Sequence, residues 1–174
     1  MRGELEIEGF QLTVTWHVDD LKVSHVDPFQ VTRFAEYLAS IYGEKLTVNR
    51  GKVHDYLGMD LDFFIKGKVK IGQIKYTQKM IDEFPEPITY SATTPTSEYL
   101  YTIRNPTDAK PLDASRKTAH VHTVAQCIFL SKHAGHDIQN QNAMAFLSKR
   151  VRNPDEDDWG KLMRLLQYLY GTYI

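Results

Sequence analysis

The chain has 174 residues, 42% of them hydrophobic and 25% charged, and a net charge of -1 at pH 7, the profile of a soluble globular protein with one ordinary core or two small lobes. It holds no apolar run near the length of a membrane span, its Met-Arg-Gly-Glu start lacks a secretory segment, and its single cysteine, Cys127, excludes an internal disulfide. An intracellular protein is expected, without a membrane partner, and with no global charge argument for nucleic acid. Residues 115 to 174 do hold eight Lys or Arg against five Asp or Glu, so a mildly basic C-terminal part follows an acidic N-terminal one.

In chain order, Glu4 to Glu8 alternates Leu5 and Ile7 with glutamates until Gly9 breaks the pattern, predicting a short edge strand that turns into the next. The chain is thus expected to start inside a sheet, with an upstream portion missing. Leu12, Val14, Trp16 and Val18 then alternate with Gln11, Thr13, Thr15 and His17, the period of two of a half-buried strand. Leu21, Val23 and Val26 resume the apolar pattern, so the simplest geometry is a hairpin with Asp19 and Asp20 at its bend. Asp is a common turn residue whose side chain bonds its own backbone, and on that ground the pair binds nothing. Two adjacent carboxylates also repel, and a hard divalent cation with oxygen ligands, Mg or Mn, would relieve the repulsion.

Asp27-Pro28 reads as an N-cap followed by proline at the first helical position, Val31, Phe34, Ala35, Leu38, Ile41 and Tyr42 recur at helical spacing, and Gly43 stands at the C-cap. This helix is expected to pack on the sheet. Lys45 to Val48 is predicted as a short strand. Tyr56 to Ile65 is predicted as a longer one that turns at Lys66-Gly67 and pairs with Lys68 to Gln73. Tyr76 to Phe84 reads as a short helix stopped by Pro85 and Pro87, with Met80, Ile81 and Phe84 on one side.

Residues 88 to 112 carry Thr, Ser and Pro with little periodicity, and are read as a linker between a lobe of residues 1 to 87 and a helical lobe of residues 113 to 174. That lobe is predicted to hold helices over Ser115 to His133, Ile138 to Val151 and Asp155 to Tyr170. The last opens on Asp155, Glu156, Asp157 and Asp158, favourable charges at the positive end of a helix. The fold class expected is α+β, an antiparallel sheet with a packed helix followed by a three-helix lobe.

An ordered series of short stretches carries a resemblance: Thr15-Trp-His-Val-Asp-Asp-Leu21, Gly51-Lys-Val-His-Asp-Tyr-Leu-Gly-Met59, Thr94-Pro95, Val121 to Ser131, and Asn153-Pro-Asp-Glu-Asp-Asp-Trp159 leading to Leu166-Gln-Tyr-Leu-Tyr-Gly-Thr172. In this order, over nearly the whole chain, they resemble the reverse transcriptase of copia-type long-terminal-repeat retrotransposons. The resemblance implies the palm of an RNA-directed DNA polymerase from its metal-binding hairpin onward, then the thumb. It implies that Asp19 and Asp20 are catalytic and hold Mg (or Mn), with His17 and Val18 beside the primer or nucleotide. The stretch Tyr56, Leu57, Gly58 and Met59 would be a primer grip, and the partners would be an RNA or DNA template-primer and a deoxynucleoside triphosphate.

The same resemblance marks what the chain lacks. A third catalytic aspartate and the fingers come from upstream in that family, so the isolated chain is expected to be inactive. Asp60 and Asp62 are read as a polar strand face, not as substitutes. His17 stands where most relatives have Tyr, and Ala134-Gly135-His136-Asp137 where they carry Arg-Pro-Asp. The alternative function is a degenerate or repurposed domain that binds nucleic acid or protein without catalysis, or a structural domain whose Asp-Asp turn binds nothing.

Other residues stay open at this point. Lys149, Arg150 and Arg152 at a helix end either complement its dipole or touch phosphates. His120, His122, Cys127, His133 and His136 cluster in sequence, but no metal-ligand spacing appears and a structural or surface role is expected. Tyr99 and Tyr101 either stack on bases or pack under their own loop.

Overall fold

The computed structural model describes residues 2–7, 9–103, 105, 107–133 and 138–173. The architecture is α+β: two small sheets and five α-helices among these residues, in two compact units that divide between Ile71 and Gly72.

In the first unit β1 (Arg2–Ile7), β2 (Phe10–His17) and β3 (Asp20–Ser24) form an antiparallel meander in the order β1-β2-β3. Gly9 permits the first turn with φ 80°. The expected alternation holds in the middle of β2, where Leu12 and Val14 are buried; Trp16 is exposed and Val18 lies past the end of the strand. Helix α1 (Pro28–Tyr42) starts and stops as its sequence dictates: Asp27 accepts a hydrogen bond from the Phe29 amide at 3.0 Å, and Gly43 ends it at φ 59°. Its apolar face, Val31, Phe34, Ala35 and Leu38, is half-buried along a small groove shared with Leu21 and Val23 of β3. The strand expected at Lys45 to Val48 is absent; Leu46 to Arg50 runs unpaired beside that groove. A second sheet, ordered β4-β5-β6, comprises β4 (Val53–Tyr56), β5 (Met59–Asp62) and β6 (Lys70–Gly72).

The second unit is helical: α2 (Ile74–Asp82), α3 (Ala114–His133), α4 (Ile138–Arg150) and α5 (Glu156–Tyr173). The three later helices lie within a few residues of their predicted spans, and α2 starts two residues early, within the ordinary uncertainty of helix ends. Their shared core includes Met80, Phe84, Val124, Cys127, Leu130, Leu147, Trp159, Leu162 and Leu166. The short helix thus packs with the three later ones, and the lobe has four helices.

Residues 88 to 112 belong to this core as well, although the sequence read them as a linker and placed the lobe boundary there. Leu100 and Leu112 are buried in it. Backbone bonds tie the stretch to α5: the Ala92 amide donates to the Gln167 carbonyl, Leu112 to Pro154, and Glu156 to Lys110. Two buried leucines and these bonds replace periodicity as the ordering force, and a periodicity search does not detect them.

The entry to α5 is the most heavily bonded point of the unit. Asp155 caps it, its Oδ1 accepting from the Asp157 and Asp158 amides at 3.0 and 2.9 Å, while Asp158 Oδ2 accepts from the Asp155 amide at 3.1 Å. This is a reciprocal capping box. Trp159, one step on, stacks on Phe84 at 4.9 Å between ring centroids, donates from Nε1 to Glu86 at 2.9 Å, and lies under the Arg116 guanidinium. Replacing Trp159 by Ala should destabilise the helical unit by about 3–5 kcal/mol in urea unfolding. Trp159→Phe keeps a ring for the stack and should cost only about 1 kcal/mol for the lost hydrogen bond. Equal losses would show that the stack contributes nothing beyond the bond.

His120 of α3 is fully buried, and neither ring nitrogen has a hydrogen-bond partner. Burial lowers its pKa from 6.5, against the opposing pull of Asp158 and Asp155. The unfolded chain therefore binds a proton near pH 6.5 that the folded chain refuses, so this contribution to stability is complete above pH 6.5 and is lost as pH falls below it. Melting temperature should drop on acidification from about pH 7 to about pH 5, and less steeply in His120→Gln. Parallel curves for the two proteins would remove His120 as the cause.

Candidate functional site

The Asp-Asp hairpin is as tight as a hairpin can be. His17 of β2 pairs with Asp20 of β3, which leaves only Val18 and Asp19 as the loop. Two-residue loops match strand twist through positive φ, normally on Gly, Asn or Asp. Here Val18 takes that conformation, at φ 50°, which costs a residue with a Cβ about 1–2 kcal/mol. Its side chain is 81% exposed, so packing does not offset the cost. Strain of this kind in a folded protein directs attention to the surface it shapes.

That surface carries the carboxylates. His17, Val18, Asp19 and Asp20 are all exposed, so the structure brings the four predicted residues together at one tip. His17, Asp20 and Lys22 share the face of Thr13 and Thr15, opposite the face of Leu12, Val14, Leu21 and Val23. Neither carboxylate pairs with a cationic side chain among the described residues. Lys22, the nearest lysine along the strand, instead lies over the Phe63 ring at 5.3 Å.

The pairing expected between Tyr56–Ile65 and Lys68–Gln73 is present as β5 beside β6, and a further hairpin, not expected, precedes it. Tyr56 pairs with Met59, and Leu57 and Gly58 form the loop at φ 55° and 69°. Positive φ at both central residues is the two-residue hairpin pattern, and Gly58 supplies half of it without strain. The single strand expected from Tyr56 to Ile65 is therefore two strands, and Tyr56, Leu57, Gly58 and Met59 sit at a hairpin tip. Asp60 and Asp62 lie on β5, Asp60 opposite Asp55 and Asp62 accepting from the Phe64 amide at 2.8 Å.

Both hairpins border one cleft of about 350 Å³ inside the first unit, lined by Asp19, Asp20 and Lys22 on one side and by His54, Asp55, Tyr56 and Phe63 on the other. His54 and Asp55 were not singled out in the sequence. Their signal was the short Val53 to Tyr56 alternation, hidden because Gly58 was read as strand interior. A hard divalent cation takes about six oxygen ligands. Asp19 and Asp20 fit part of that shell, and among the described residues no three His, Cys, Asp or Glu side chains gather to hold a metal ion.

The remaining candidates separate by their partners. Arg150 turns to the acids of α5: its Nε donates to both Asp158 oxygens at 3.1 and 3.2 Å, and its Nη2 lies 3.6 Å from Asp155. The Asp158 bond holds its pKa above the ordinary arginine value. Lys149 and Arg152 are exposed. Cys127 is fully buried, its thiol 3.5 Å from the Met80 sulfur, and burial pushes its pKa up to about 12, which makes it an inert core group. His122 is exposed on α3. The His133 side chain, His136 and the 134–137 turn lie outside the described residues. Tyr101 packs edge-on against Phe146, at 5.8 Å between centroids.

No family model, curated protein or solved structure matches the chain.

Replacing Val18 by Gly should stabilise the first unit by about 1 kcal/mol, since the positive φ is then unstrained and little buried surface is lost. Chemical denaturation followed by the fluorescence of Trp16 and Trp159 reads it. A neutral or destabilising result would mean that Val18 is not strained in the native hairpin.

Proposed function

We propose that this chain is the palm-and-thumb portion of a reverse transcriptase of the copia type, an RNA-directed DNA polymerase, and that it is inactive alone. The observation that carries the reading is the two-residue hairpin with Asp19 and Asp20 exposed at its tip and without cationic partners among the described residues. Asp19 and Asp20 would hold a divalent pair, Mg or Mn, which would supply a Lewis-acid clamp for displacement at phosphorus. Asp19 and Asp20 hold charge and position for that clamp. His17 and Val18, beside them at the tip, contact the primer end or the incoming nucleotide, and the Tyr56 to Met59 tip supports the primer. The template-primer lies along the helical unit, with Lys149 and Arg152 as phosphate contacts. Arg150 takes no part, being committed to Asp155 and Asp158.

The missing elements are the third carboxylate and the fingers, which the family resemblance places upstream. No helix among the described residues is long and apolar enough to cross a membrane, and the reading requires none.

Primer extension with Mg tests the proposal in two arms. The chain alone should incorporate no nucleotide on an RNA template. A fusion that supplies a palm strand with a third aspartate and a fingers domain should extend the primer, and Asp19→Asn or Asp20→Asn should lower that rate beyond the roughly 10–100-fold that loss of a mere second-shell metal partner costs. Extension by the chain alone would refute the claim of inactivity. Extension by the fusion that survives both substitutions would refute the site. Salt-dependent binding of a template-primer by a fusion without turnover would favour a repurposed binding domain.

A further inference from the structure

A second cavity, of about 430 Å³, lies within the helical unit, between the 95–102 stretch and the first two turns of α5. Its charged and polar lining includes Glu156, Asp157, Lys161, Arg164, Ser97 and Tyr99. Accounting for partners singles out one of them. Glu156 is held by Arg116, both oxygens within hydrogen-bond reach of Nη1 at 2.8 and 2.7 Å. Lys161 pairs with Asp157 at 2.7 Å, and its ammonium also donates to the Thr102 carbonyl at 2.6 Å. Arg164 is left over. One Nη donates to Thr94 Oγ1 at 3.1 Å, while Nε is buried with no hydrogen-bond partner among the described residues. No carboxylate pairs with this guanidinium among the described residues.

The buried Nε is out of a ligand's reach, but the accessible part of this guanidinium can donate to an oxyanion in the cavity, and a guanidinium's planar donors match phosphate geometry. The group is also pre-positioned, because Thr94 is itself fixed by donating to the Thr96 carbonyl at 2.8 Å. The charged lining groups Glu156, Asp157, Lys161 and Arg164 sum to zero, and Arg116, which meets Glu156, is shared with Glu86; Arg164 is the one of the four that meets no opposite charge among the described residues. Gly160 leaves the helix surface bare between Asp157 and Arg164, and a Cβ added there would meet nothing within 4 Å. At the rim, the Tyr99 ring is 68% exposed, a platform of the kind on which bases stack. The volume lies in the ordinary range for a small ligand.

We propose that this cavity binds a nucleotide, with its phosphate on Arg164 and its base against Tyr99. The proposal is independent of the Asp19–Asp20 reading, since every lining residue belongs to the helical unit.

Calorimetric titration of the full chain with adenosine monophosphate tests it. The expected dissociation constant lies between about 10 μM and 1 mM. Arg164→Gln should weaken binding at least tenfold, and Tyr99→Ala and the use of inorganic phosphate alone should each weaken it measurably. Gly160→Phe fills the cavity from a position where the added side chain starts in open space, and should abolish binding with the circular dichroism spectrum unchanged; it decides the matter where Arg164→Gln fails to fold. Asp19→Asn should bind as the parent does. A dinucleotide monophosphate that binds more tightly than the mononucleotide would assign the phosphate to a strand, and one that binds less tightly to a free nucleotide; both results keep the site. Undetectable binding at millimolar ligand, or binding that survives both Arg164→Gln and Gly160→Phe, would overturn it.

Discussion

The helical unit depends on how Trp159 is seated. Its ring, 2% exposed, is too large to bury without finding a partner for its indole N–H. Glu86 accepts that proton, and a carboxylate brought so near the core needs a cation in turn, which Arg116 supplies at 3.1 Å. Arg116 then also holds Glu156, so one side chain joins the segment after α2, the start of α3 and the start of α5. The 84–112 stretch follows from this. Phe84 and Glu86 are pinned to Trp159 at one end, Leu112 is bonded to Pro154 at the other, and Leu100 fills the core between them. A loop of that length stays ordered because its backbone and its leucines are satisfied by α5.

The first unit is organised by the opposite means. Among its residues of described burial, Leu12, Val14 and Leu61 are the buried hydrophobic ones, whereas Phe10, Val26, Phe29, Tyr37, Ile41 and Phe64 are exposed. With so little apolar burial, strand pairing and turn geometry carry more of the structure, and the two hairpin tips become its defining points. Both place a non-glycine apolar residue, Val18 or Leu57, at positive φ. Such conformations persist only where the flanking ladders over-determine them, and here the ladders run to the edge of each loop: His17 with Asp20, and Tyr56 with Met59.

What could be read from the sequence tracks how local the cause is. Caps and periodicity are local, so α1 with Asp27 and Gly43, the alternation of β2, and the three later helices were all legible. A bend in this stretch was legible for the same reason, since an apolar pattern broke and resumed around it, but it falls one residue earlier, on Val18 and Asp19, with Asp20 already in β3. The β4–β5 turn was not legible. Gly58 sits in an apolar run, and only its pairing partners distinguish a left-handed turn from a strand interior. The union of residues 88–112 with α5 was illegible too, because Leu100 and Leu112 acquire their burial from helices that lie far along the chain. Arg150 illustrates the limit for sites: its position at the end of α4 fitted a phosphate contact, but Asp158 takes its guanidinium eight residues later.

Two acidic clusters in this chain look alike as sequence and differ once partners are counted. Asp155, Glu156, Asp157 and Asp158 are each matched: Arg150 meets the first and last, Arg116 the second, Lys161 the third, and amide donors of α5 complete the cap. Three cations and the cap's amide donors thus hold these four carboxylates within the fold and offset most of the cost of burying them. Asp19 and Asp20 are exposed and meet no cationic side chain among the described residues, on a loop that Val18 holds in a strained form. The same accounting isolates Arg164 among the cations of α5. A carboxylate or guanidinium whose partner lies inside the fold is an element of that fold; one whose partner does not depends on solvent or on a ligand for its counter-charge.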